Sequence, residues 1–139
     1  MRVFFDSSAF VKRYVHEAGT DSVLRWCDQA TEIVLSGVAL AEIISSFCRL
    51  RREDKVSAAQ YRRLKSLLMT DVQDAVIVDL TPLVLAQAVL SLESNALRGM
   101  DALHIGSALA LQSDVFVSAD RRQLDDAARM GLRAESVVT

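Results

Sequence analysis

Val3-Phe4-Phe5-Asp6-Ser7-Ser8-Ala9 sets the reading of the whole chain. Large apolar residues in a row suit a short strand buried on both faces, and an acid stops the run at once. A helical stretch over residues 9–15 follows with no linker. The same pattern returns as Val115-Phe116-Val117-Ser118-Ala119-Asp120, ahead of a helix at 121–130. Ile33-Val34-Leu35 and Val76-Ile77-Val78 are two further strand candidates, and 132–135 is a possible last one. Between them, helical patterns run over 21–30, 38–52, 57–69, 82–95 and 100–112. Short apolar strands alternating with helices predict an α/β fold, with a mostly parallel central sheet of four to five strands flanked by helices on both faces.

Local signals sharpen some boundaries. Ser57 and Gln60 make a capping box, and Thr81-Pro82 places an N-cap before a proline at the first helical position. Gly131 suits the position just past a helix end. At 139 residues, 51% hydrophobic and 24% charged, the chain reads as one globular domain spanning 1–139. No apolar run reaches the ~20 residues of a membrane helix. Cys27 and Cys48 lack metal-ligand spacing and fit reduced thiols, so a cytoplasmic protein is expected.

The net charge of −2 is unevenly spread. Residues 49–65 carry +5, which leaves −7 for the remainder. A basic sector of that kind either attracts a polyanion locally or forms solvated helix faces.

Four acids carry the chemistry: Asp6, Glu42, Asp101 and Asp120. Each interrupts or closes an otherwise buried run, as Glu42 does in Val38-Ala39-Leu40-Ala41-Glu42-Ile43-Ile44. An ionised carboxylate buried without a partner costs several kcal/mol or more. In an α/β sheet, Asp6 and Asp120 fall just past strand ends, where open sheets bind ligands, Asp101 falls in the first turn of its helix and Glu42 in the second turn of its own. Four carboxylates at one sheet edge would repel one another, and a hard divalent cation offsets that repulsion. Oxygen donors alone favour Mg²⁺, with Mn²⁺ as a substitute, over zinc. Such a site suits phosphodiester hydrolysis. Each acid also has a plainer reading, as helix cap, ion-pair partner or turn residue.

Phe5-Asp6-Ser7-Ser8-Ala9, Val38-Ala39-Leu40-Ala41-Glu42, Met100-Asp101-Ala102-Leu103-His104-Ile105 and Val117-Ser118-Ala119-Asp120 together resemble a PIN domain, and more closely the VapC-type ribonuclease toxins of bacterial toxin–antitoxin pairs. The likeness runs through nearly the whole chain, in order. It implies a single PIN-like domain and a toxin that hydrolyses RNA with Mg²⁺ or Mn²⁺, held in check by a cognate antitoxin. It implies metal ligation through Asp6 and Asp101, an acidic site completed by Glu42 and Asp120, and support from Ser8 and Ser118. Asp125 and Asp126 compete for the place of the fourth acid, and Asp120 is preferred for its strand-end position. The resemblance and the apolar content both point to a homodimer.

Arg121 and Arg122, with Arg49, Arg51 and Arg52, are candidates to hold RNA phosphates. His104, one turn beyond Asp101, is expected to pack behind the acids, and His16 to lie on the surface. Ser7 and Ser8 lack the histidine and oxyanion arrangement of a serine nucleophile. An aspartyl-phosphate phosphatase would want an acid where Ser8 stands, and a receiver would want a lysine in the C-terminal third, which has none. The alternative function is a catalytically silent PIN-like module that binds RNA or protein.

Overall fold

Alternating side chains of the central strands divide the core in two. In the computed structural model, which describes residues 1–138, strand β1 (Arg2–Phe5) sends Val3 and Phe5 to one face and Phe4 to the other. Strand β4 (Val115–Ser118) does the same with Val115 and Val117 against Phe116. Phe4 and Phe116 stack with ring centroids 5.3 Å apart. Two-sided burial is what a continuous apolar run, rather than an alternating one, announces.

All five strands are parallel and ordered β3-β2-β1-β4-β5, with β2 at Glu32–Ser36, β3 at Val76–Val78 and β5 at Ala134–Ser136. One face is covered by α1 (Ser7–Phe10), α2 (Thr20–Gln29), α3 (Ala39–Arg52) and α4 (Ala58–Asp74). The other is covered by α5 (Pro82–Ser94), α6 (Gly99–Ala110) and α7 (Arg121–Arg129). The chain leaves β1 to build the sheet in one direction and returns beside β1 to build it in the other. The switch point, where α/β sheets open a ligand crevice, therefore lies between the carboxyl ends of β1 and β4.

Several boundaries differ from the sequence reading. The first helix begins at Ser7, because Asp6 accepts a hydrogen bond from the Ala9 N–H at 3.0 Å and caps it, and it ends in a 3₁₀ turn at Val11–Arg13. Helix α4 runs to Asp74 rather than 69. The last strand is Ala134–Ser136, where the ladder to Phe116, Val117 and Ser118 sets its register. The capping box at Ser57 and Gln60 and the Thr81 cap form as expected, and Gly131 takes a φ of 92° after α7.

Helices α5 and α6 approach closely enough to exclude a side chain at Gly106. A Cβ there would meet the Val84 carbonyl oxygen at 2.6 Å and the Ala88 nitrogen at 2.9 Å, both backbone. Gly106→Ala is therefore expected to destabilise the protein by about 1–3 kcal/mol despite its gain in helix propensity. A denaturant midpoint equal to wild type would show that the helix pair can separate at no cost.

Candidate active site

Asp6 follows the central strand and is 4% exposed. Its main chain continues the ladder, since its N–H donates to the Val117 carbonyl at 3.1 Å. Its side chain is fully engaged. Oδ1 accepts from the Ser8 hydroxyl at 2.7 Å and from the Ala9 N–H, and Oδ2 accepts from the Ser118 hydroxyl at 2.5 Å. Both serines are then used a second time: Ala119 N–H donates to Ser8 Oγ at 3.1 Å, and Asp120 N–H donates to Ser118 Oγ at 3.0 Å. Two hydroxyls thus tie the start of α1 to the turn between β4 and α7. Burial pushes the Asp6 pKa above its ordinary value, against the opposing pull of Ser118, His104, Ser8 and Ala9.

Glu42 sits in the first turn of α3, half-buried. Its Oε1 accepts from the Ser7 hydroxyl at 2.7 Å and lies 2.5 Å from His104 Nε2. An ionised carboxylate can only accept, so Nε2 carries the proton of that contact. Desolvation works to raise the Glu42 pKa, but it is outweighed by the His104 and Ser7 hydrogen bonds and the charges of His104 and Arg98, and the pKa falls below its ordinary value. His104 is 2% exposed, its ring edge-on to Phe4, so it does pack behind the acids. Its Nδ1 is buried without a partner.

Asp101 and Asp120 come from different helices and line one cavity of about 130 Å³, together with Arg98, Arg122 and Gln123. Asp101 Oδ2 accepts from Arg98 Nε at 3.1 Å, and the Asp101 carbonyl accepts from Gln123 Nε2 at 3.0 Å. Asp120 is the N-cap of α7 and accepts from the Arg122 N–H at 3.0 Å. Asp126 also lines this cavity, but its carboxylate is paired with Arg129 at 2.7 Å, and Asp125 lies outside it.

The structure therefore groups Asp101 with Asp120, and Glu42 with His104 and Ser7, and buries Asp6 within a serine cradle. Among the described residues, no three histidines, cysteines, aspartates or glutamates stand close enough together to hold a metal ion. Arg49 lines a cavity with Ser7, Ser8 and Glu42, and Arg122 lines the Asp101–Asp120 cavity. Arg51 and Arg52 line neither cavity; Arg51 reaches Asp54 at 4.0 Å. Arg121 is exposed at the start of α7.

Sequence reasoning missed Arg98 and Gln123 and gave Ser7 no part. Arg98 stands three residues before Asp101, a spacing that could have flagged it. Gln123 and Ser7 leave no such trace, since their partners are distant in the chain.

A family model described as PIN domain matches residues 3–130. The chain belongs to the PIN-domain family. No curated protein matches the sequence to a significant degree. Solved structures share the PIN-domain architecture at low identity. A DNA-bound VapBC from Salmonella typhimurium has a TM-score of 0.72 at 14% identity, covering 99% of this chain and 98% of its own. FitAcB from Neisseria gonorrhoeae has 0.71 at 12%, covering 97% of each. VapC20 of Mycobacterium tuberculosis, described as a sarcin-ricin loop cleaving toxin, has 0.66 at 15%, covering 94% and 95%.

The raised pKa of Asp6 has a thermodynamic consequence. The folded protein holds this proton to a higher pH than the unfolded chain does. Stability from Asp6 is thus fully present below the ordinary value of 3.8 and is lost as pH rises through the folded value. Asparagine also caps helices and cannot ionise. In metal-free protein, the melting temperature of Asp6→Asn relative to wild type should rise as pH increases above 3.8. A difference that stays flat with pH in thermal melts would count against a penalised Asp6 charge.

Proposed function

We propose that this PIN domain is a VapC-type toxin, a cytoplasmic Mg²⁺- or Mn²⁺-dependent endoribonuclease restrained by a cognate antitoxin. The observation that carries the reading is the shared cavity of Asp101 and Asp120, supported by Glu42 held ionised by His104 and Ser7 and by Asp6 buried at the end of β1. The relatives named above include toxin–antitoxin complexes and a toxin described as cutting RNA.

The donor set fits a hard cation. Mg²⁺ is commonly bound by one or two carboxylates, with waters and substrate phosphate completing its shell, so three protein carboxylates in contact are not required. Asp101 and Asp6 would hold the ion, with Asp120 and Glu42 adding negative charge. Bound there, the ion would polarise the scissile phosphate and lower the pKa of an attacking water. Ser8 and Ser118 fix the Asp6 carboxylate in orientation, and Ser7 and His104 keep Glu42 charged. Arg122, Arg121 and Arg49 border the acids and would position RNA phosphates, whereas Arg51 and Arg52 would act further along the strand. An antitoxin segment laid against α3 and α4 could satisfy the same acids with a basic side chain.

Helix α5 exposes apolar side chains. Leu85, Val89 and Leu92 of α5 are exposed and line one cavity with Met100 of α6. Such a patch on a small domain suits a protein interface, and a homodimer through α5 would cover it. Val89→Glu is expected to give the monomer mass in sedimentation equilibrium, where wild type gives the dimer. A monomeric wild type would refute the dimer.

Purified protein freed of antitoxin should cleave single-stranded RNA in Mg²⁺. Asp101→Asn should reduce the rate by about 100-fold or more while leaving the fold intact. Wild-type rates in the variant would sink the site, and RNA binding with no cleavage by either protein would favour the silent binding module.

A further inference from the structure

Arg98 stands between two cavities. It lines the Asp101–Asp120 cavity and also the larger apolar cavity that Glu42 borders. One contact holds it, from Nε to Asp101 Oδ2 at 3.1 Å, and its side chain is otherwise 82% exposed. Gln123 lines the Asp101–Asp120 cavity too and is 2% exposed, with Oε1 lacking any hydrogen-bond partner. A bare buried acceptor beside two carboxylates is unusual, and a cation or the water around one would satisfy it. Glu42, Asp101 and Asp120 all act to stabilise the charge on Arg98, so the guanidinium stands in the field of the acids that surround the opening.

We propose that Arg98 is a built-in counter-cation of the acid cavity, which neutralises Asp101 in the free protein, yields it to a divalent ion, and on release binds an RNA phosphate. The proposal rests on the reading of this site as a metal-dependent ribonuclease. Two cations on one carboxylate repel each other, so the ion and Arg98 compete for Asp101. An exposed single-contact pair is weak, so the exchange is cheap. The freed guanidinium keeps its planar fork, which matches phosphate oxygens as well as it matches a carboxylate. A pair that merely steadies the first turn of α6 would affect melting temperature alone.

The test uses metal-stripped, antitoxin-free protein titrated with Mn²⁺ by calorimetry, as wild type, Arg98→Gln, Arg98→Lys and Asp101→Asn. Arg98→Gln should bind Mn²⁺ about 3- to 10-fold more tightly than wild type, because a competing charge has gone. Arg98→Lys should stay near wild type. Affinity for a single-stranded RNA oligonucleotide is then read by anisotropy in Mn²⁺ on a time scale short against cleavage, with the strand verified intact on a gel. Both Arg98 variants should bind it more weakly, and Arg98→Gln should flatten the salt dependence by a slope of about 0.7. Unchanged Mn²⁺ affinity in Arg98→Gln, with affinity lost in Asp101→Asn, overturns the counter-cation and leaves the metal site standing. Unchanged RNA affinity overturns the phosphate role. Failure of wild type to bind Mn²⁺ overturns the metal reading itself, and the inference with it.

Discussion

A carboxylate at the end of a central strand can be kept only if hydrogen bonds or a cation replace the water it has lost. Asp6 meets that condition through Ser8, Ala9 and Ser118, and the condition then spreads outward. Ser118 must end β4 level with Asp6, which the pairing of Phe5 with Val117 ensures. Ser8 must lie one short turn into α1, which the Asp6 cap itself starts. The turn after β4 is fixed in its turn, because its Ala119 and Asp120 amides are spent on the two serine oxygens. A longer or apolar side chain at either serine would leave the carboxylate short of a donor and the turn short of an acceptor.

Parallel topology explains why acids far apart in sequence meet. Every strand presents its carboxyl end to the same edge, so residues just past β1 and β4 become neighbours, and helices that begin there bring in their first turns. Glu42 and Asp101 both use that geometry, and the buried His104 binds α6 to α3 across the gap. Past the first turn of a helix, only the face turned toward the opening reaches the site: Asp126 of α7 lines the cavity and pairs with Arg129. Asp125, by contrast, lies within α7 and outside the cavity that Asp120 lines.

This is also why so much was legible in the sequence. The strands were readable because two-sided burial demands unbroken apolar runs such as Val3-Phe4-Phe5. The acids were readable because each breaks such a run. Relatives at 12–15% identity keep this architecture, consistent with a fold specified by pattern more than by residue identity. What pattern cannot supply is the tertiary partner. Nothing near Gln123 in the sequence points to the Asp101 carbonyl, and Ser7 looks like any residue beside a helix cap. Strand β5 was displaced for a related reason: its residues are only half-buried, so the ladder to β4, not periodicity, decides where it begins.

The choice of cation around the opening follows from the same electrostatics. Lysine occurs only at Lys12, Lys55 and Lys65, and arginine supplies the rim at Arg49, Arg98 and Arg122. An ammonium is compact and strongly hydrated, and beside a carboxylate it competes with a metal ion as a point charge. A guanidinium is weakly hydrated and planar, so it can exchange a carboxylate for a phosphate without changing its bonding geometry. With a net charge of −2, the chain would have to draw the proposed RNA substrate to the acids by local charge. Arg98, which pairs with Asp101 and would turn to the strand in the proposed exchange, would place that charge at the opening itself.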